Sequence, residues 1–95
     1  MKLIFCLKCS DIVRLITENV KSCDCGQSTG QYKDLFNAWY KGPCIPIGIS
    51  NSSFVHATRN QPENDWGETF EAFVIQKECE TFENKNENEN TKYPT

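Results

Sequence analysis

Cys6-Leu7-Lys8-Cys9, then thirteen residues, then Cys23-Asp24-Cys25-Gly26: the reading of this stretch decides the fold. Two close cysteine pairs at that separation have the spacing of a four-thiolate metal site. Each pair sits on a tight turn that aims two sulfurs at one ion, and the intervening segment brings the second turn back to the first. Zinc suits this donor set, because it is a borderline-soft ion that accepts tetrahedral sulfur without redox chemistry. Four protein sulfurs leave no open position for water, which makes the site structural and disfavours metal catalysis. The second pair is Cys-x-Cys, one residue shorter than the first, which strains its turn and leaves Asp24 as a substitute donor to weigh against the fourth sulfur. Gly26 supplies the positive φ that such a turn commonly requires.

Composition fits a stapled fold. Ninety-five residues make one domain, near the lower limit of what buries a useful core unaided, and 38% hydrophobic content keeps that core small. Mean hydropathy is −0.59, and no run approaches the roughly 20 apolar residues of a membrane span. The opening Met1–Leu7 briefly resembles a signal peptide. Lys8, Asp11 and Arg14 interrupt it before an apolar h-region of about 7–15 residues can form, and no small-residue cleavage site follows. The expected location is therefore the cytoplasm. In that reducing setting six cysteines favour metal over disulfides; the alternative is two strained or redox-active pairs without metal. Cys44 and Cys79 fall outside the pattern and read as buried or half-buried free thiols.

Charge is unevenly placed. Residues 1–60 carry seven Lys/Arg against four Asp/Glu, and residues 61–95 carry three against nine, for a net charge of −3. The acidic second part counts against a nucleic-acid binder, whose footprint is a strongly basic face.

Along the chain, Lys2–Phe5 is a short apolar strand entering the first cysteine turn, and Ser10-Asp11 leads out of it. Ile12–Ile16 is β-branched and strand-like, Thr17-Glu18-Asn19 is a polar turn, and Val20–Ser22 returns to the second cysteine turn. Period-two alternation over Gln31–Lys41 predicts a strand, covered on both sides through Leu35 and Trp39. Cys44–Ser50 alternates Ile45, Ile47 and Ile49, and Pro46 marks an edge strand or the first part of one. These two segments, punctuated by Gly42-Pro43, predict a β-hairpin. Ser50 or Asn51 is a good N-cap for a two-turn helix over 54–60. Gln61–Gly67 is a polar loop with an exposed Trp66, and Thr69–Gln76 a last strand. From Thr81 onward the Asn/Glu/Lys-rich sequence has too little to bury and reads as a solvated tail.

The expected fold is thus a β-rich α+β domain over residues 1–80. It comprises a metal-stapled hairpin (1–30), a small antiparallel sheet with one short helix (31–80), and a disordered tail (81–95).

Two features outside the cysteines carry chemistry. The strand-to-helix turn with Gly48, Ser50, Asn51, Ser52 and Ser53 presents helix N-terminal amides that a phosphate can satisfy. His56 and Arg59 lie on neighbouring helix faces within reach of such a ligand. The plainer reading of the same residues is an N-capped helix with exposed polar side chains. A Cys44/His56 hydrolase or transferase is weakly supported, since the chain has one histidine and lacks a nucleophile elbow or a nucleotide loop.

The Cys-x-x-Cys and Cys-x-Cys-Gly pattern resembles a zinc ribbon over roughly the first thirty residues. With the later Gly48-x-x-Asn51-Ser52-Ser53-Phe54, the chain is similar to small zinc-ribbon-like proteins of bacteria and their phages. That resemblance spans residues 6–75 loosely and brings no activity with it; the expectation from the residues is a non-enzymatic binding protein, acting in the host cytoplasm if phage-encoded. The expected role is a sponge that sequesters a phosphate-bearing nucleotide signal at the Gly48–Ser53 turn. The alternatives are a protein-interaction adaptor or inhibitor of a host protein, working through Trp66 and an edge strand, and a nucleic-acid-binding ribbon. A homo-oligomer that completes the ligand pocket is compatible with each.

Overall fold

In the computed structural model, which describes residues 1–86, eight short strands and one helix form two four-stranded sheets. The elements are β1 (Lys2–Cys6), β2 (Ile12–Arg14), β3 (Lys21–Ser22), β4 (Thr29–Tyr32), β5 (Ala38–Lys41), β6 (Cys44–Ile49), α1 (Asn51–Arg59), β7 (Ala72–Val74) and β8 (Phe82–Asn84). The first sheet runs β2-β1-β6-β7 and is antiparallel throughout; the second runs β3-β4-β5-β8, with β8 parallel to β5. The β-rich α+β expectation therefore holds at the level of class.

The core lies between the sheets. Ile4, Cys6, Val13, Cys44 and Ile75 come from the first sheet and its margins. Leu15 and Cys23 flank the strands, and Ala38, Tyr40 and Phe82 come from the second sheet. Three of those ten residues are cysteines, which leaves seven aliphatic and aromatic side chains to fill the interior. A core of this size supplies only a few kcal/mol (roughly 3–5), and a cross-link at the cysteines would add to it directly.

Several expectations are corrected. Residues 1–30 are not one self-contained unit: β1 and β2 form an antiparallel hairpin whose β1 also pairs with β6, while β3 pairs with β4 in the other sheet. Gln31–Lys41 is not one strand. Asp34 folds it back by accepting from the Phe36 and Asn37 amides, both at 2.8 Å, and from the Asn37 side chain. This side-chain-driven turn outcompetes the alternation and leaves Leu35 82% and Phe36 73% exposed at its tip. The predicted hairpin between that segment and Cys44–Ser50 is absent, since β5 and β6 belong to different sheets.

Pro46 sits in an interior strand. It faces Ile4 of β1 in the register, while its carbonyl accepts from Ile75 N on the β7 side at 2.9 Å. A residue's N and C=O point to the same side of a strand, so the missing N–H faces the place where the β7 ladder ends. Residues 81–86, expected to lie in a solvated tail, belong to the fold. Phe82 is 1% exposed and packs edge-on to Tyr40 at 4.9 Å, and Asn86 bonds twice to the Gly42 backbone. One large aromatic and a parallel pairing hold 82–84 against a polar composition; residues 87–95 lie outside the described part. No helix among the described residues is long and apolar enough to cross a membrane.

Candidate metal centre

Two turns build the site. In the first, Ser10 N donates to Cys6 O at 2.8 Å, and Ser10 takes φ 63 to close the turn. The Lys8 amide points inward and donates to Cys6 Sγ at 3.4 Å. In the second, Gly26 N donates to Cys23 O at 3.0 Å with Gly26 at φ 79, as its position after the pair requires. The Ser28 amide donates to Cys23 Sγ at 3.3 Å. Asp11 accepts from Asp24 N at 2.9 Å and ties one turn to the other.

These turns gather Cys6, Cys9, Cys23 and Cys25 so that their sulfurs all lie within 4.8 Å of one another. Cys6–Cys25 is 3.8 Å and Cys23–Cys25 is 3.6 Å. A tetrahedral ion with metal–sulfur bonds of about 2.3 Å sets sulfurs about 3.8 Å apart, so the donor set fits a divalent metal. Burial is graded: Cys6 and Cys23 are buried, Cys9 is half-buried and Cys25 is exposed. The opening therefore lies on the Cys25 side, and Asp24 stands outside the cluster.

The thiols are unequal. The Ser28 side chain, the largest influence on Cys6, pulls that thiol down to about 6 against desolvation, with help from the Cys9 and Lys8 amides. The Ser28 hydroxyl is buried and has no partner at hydrogen-bond geometry among the described residues. Desolvation pushes Cys23 up, but the Ser28 amide and Cys25 outweigh it and the thiol moves down. At Cys25 the Gln27 amide favours the thiolate. Desolvation and hydrogen bonding to the other three sulfurs prevail and push it up to about 12. Cys44 is buried outside the set, its thiol pushed up to about 11 chiefly by burial.

Of the residues expected to hold an anion, Ser50, Asn51, Ser52 and Ser53 lie at the N-terminus of α1, whereas His56 and Arg59 lie in its last turn. Gly48 lies within β6, where a Cβ would stand 2.7 Å from the Phe73 ring, so its smallness serves packing. Ser50 is the N-cap and accepts from Ser53 N at 3.5 Å. Ser53 Oγ donates to Ser50 O and accepts from Glu71 N. Asn51 Oδ1 accepts from the N-terminal ammonium at 2.7 Å. Ser52 is exposed, and His56 and Arg59 lie exposed in the last turn, away from the N-terminus of α1. The plainer reading, a capped helix, accounts for Ser50 and Ser53.

Sequence reasoning missed Ser28, Gly42 and Asn86, which support the second turn. Gly42 alone carried a signal, as the glycine before Pro43. No protein-family model, no curated protein and no solved structure matches this chain.

Proposed function

We propose that this chain is a non-enzymatic, zinc-ribbon-like binding protein in which Cys6, Cys9, Cys23 and Cys25 hold one structural zinc ion. The observation that carries the reading is the gathering of four sulfurs, from turns on two different sheets, within 4.8 Å. An all-sulfur tetrahedral set favours zinc over harder cations. The ion would cross-link the two sheets. The paired cysteine turns also support kinship with small zinc-ribbon-like proteins of bacteria and phages.

The binding role we assign is to a protein partner. Trp66 is 88% exposed, and β7 is an edge strand carrying Phe73 at 55% and Val74 at 68% exposure. Exposed apolar groups on an open sheet edge are surfaces that recruit another chain. The phosphate-ligand reading keeps Ser52, His56 and Arg59 as its exposed residues, because Ser50, Asn51 and Ser53 are engaged within the fold.

Native mass spectrometry of gently purified protein tests the set. One zinc per chain is expected, and none overturns the metal reading. A retained mass of a few hundred daltons, lost in Arg59→Ala and Ser52→Ala, would favour a nucleotide over a protein partner.

A further inference from the structure

β7 ends its sheet as an open edge that no charged residue interrupts. Its three residues, Ala72, Phe73 and Val74, are all apolar and all exposed. The other sheet edges each carry a charge: Arg14 on β2, Lys21 on β3 and Glu83 on β8. Charged side chains on an edge keep it from pairing with another chain, and β7 has none.

The register fixes which backbone groups face outward. Ile75 N donates to Pro46 O and Ser50 N donates to Glu71 O, so the odd-numbered positions turn toward β6. Ala72, Val74 and Gln76 therefore turn their N–H and C=O to the open side, where no backbone group among the described residues bonds to them. An antiparallel partner must match outward groups with outward groups. A second copy does so when Val74 of one chain faces Val74 of the other. The two Val74 residues then exchange both hydrogen bonds, Ala72 pairs with Gln76, and Phe73 lies beside Ile75. That register also sets Glu71 opposite Lys77 at each end. Centring the pair on Phe73 or Ile75 instead would set Glu71 against Ile75 or Lys77 against Phe73, so charge complementarity selects Val74. The one ion pair among the described residues is Lys33–Glu83, which leaves Glu71 and Lys77 to be matched.

We propose that β7 pairs antiparallel with β7 of a second copy, centred on Val74, and joins two four-stranded sheets into one. The proposal rests on the protein-partner reading of this edge and names the partner. The contact is isologous, so each complementary pair occurs twice. It covers apolar surface at Phe73 and Val74, and opposite charges facing each other across the strands add to the pairing.

Sedimentation equilibrium of the full chain in reductant, over a range of concentrations, tests this. The mass should rise with concentration from 10.9 kDa toward twice that value. Val74→Lys sets two ammonium groups against each other at the two-fold axis and should abolish the rise; Val74 is exposed, so the change opens no cavity. Glu71→Lys and Lys77→Glu should each weaken self-association about tenfold. The double variant, and an equimolar mixture of the two single variants, should regain it. A wild-type chain of single mass at every concentration overturns the proposal. So does a Val74→Lys chain that dimerises as wild type does, or a charge exchange that restores nothing. Amide hydrogen exchange separates that failure from failure of the docking reading. In a chain of single mass, fast exchange at Ala72, Val74 and Gln76 overturns the second copy alone and leaves the edge to a different protein. Slow exchange there would show the edge closed within one chain and overturn both.

Discussion

Gly42 lies directly against Ser28: a Cβ at Gly42 would stand 2.7 Å from Ser28 Cα and 2.2 Å from Gln27 O. The turn between β5 and β6 is thus pressed onto the loop that follows Cys25. Gly42 has φ 109, a region that side-chain-bearing residues avoid. Asn86 fixes it from the far side, accepting from Gly42 N and donating to Gly42 O, each at 3.0 Å. Gly42→Ala must therefore relieve both a collision and a strained φ, the latter alone costing about 1–3 kcal/mol. We expect a lower thermal midpoint and weaker metal binding, about tenfold for each 1.4 kcal/mol that falls on the loaded form. Differential scanning fluorimetry with and without zinc checks both; equal loss in the two conditions would separate Gly42 from the site.

Ligand and non-ligand cysteines should separate cleanly. Cys25 is exposed, so Cys25→Ser opens no cavity and its effect reads the metal alone. Wild type at a zinc concentration about a thousand times Kd gains about 4 kcal/mol, and Cys25→Ser should lose most of that gain while matching wild type in chelator. Cys44→Ser should still bind one zinc per chain. It should lose about 1–3 kcal/mol in either condition, because it places a hydroxyl in a buried position. Denaturant titrations with parallel zinc analysis measure the contrast.

Phe82 closes the core from the C-terminal side. It is 1% exposed, stacks edge-on against Tyr40, and opens the strand that pairs in parallel with β5. Phe82→Ala is expected to cost about 3–5 kcal/mol, and this small domain would then be largely unfolded without metal. Leu35→Ser, at an exposed turn tip, should change stability by no more than about 0.5 kcal/mol.

That contrast shows what the sequence could reveal. Leu35 looked like a core residue because alternation runs through it; Phe82 looked solvated because its neighbours are polar. Periodicity reports a face only where the strand continues, and Asp34 ends it with hydrogen bonds that alternation does not encode. A three-residue strand such as β8 has no period to read. The cysteine turns and the Ser50 cap were legible because their signals are local: ligand spacing, a following glycine, a capping hydroxyl. The allocation of strands to two sheets was not. It depends on pairings between distant segments, such as β1 with β6 and β5 with β8.

Proton counting offers the most direct reading of the unequal thiols. Cys6, pulled down from 9.0 to about 6, is already a thiolate at mildly alkaline pH, while Cys25, pushed up to about 12, still carries its proton. The signs for the metal-free fold follow. The depressed Cys6 contributes stability that is present above its ordinary value of 9.0 and lost as pH falls through about 6. The raised Cys25 contributes stability that is full below 9.0 and lost as pH rises through about 12. Metal uptake demands four thiolates. Above the Cys6 value it should release fewer protons than there are ligands, with the Cys25 proton always among them. Below it the Cys6 proton joins, so release rises and apparent affinity falls more steeply as pH drops. Calorimetry of zinc binding in buffers of different ionisation enthalpy counts those protons. Release of one proton per cysteine at mildly alkaline pH would show that Cys6 is an ordinary thiol in the metal-free chain.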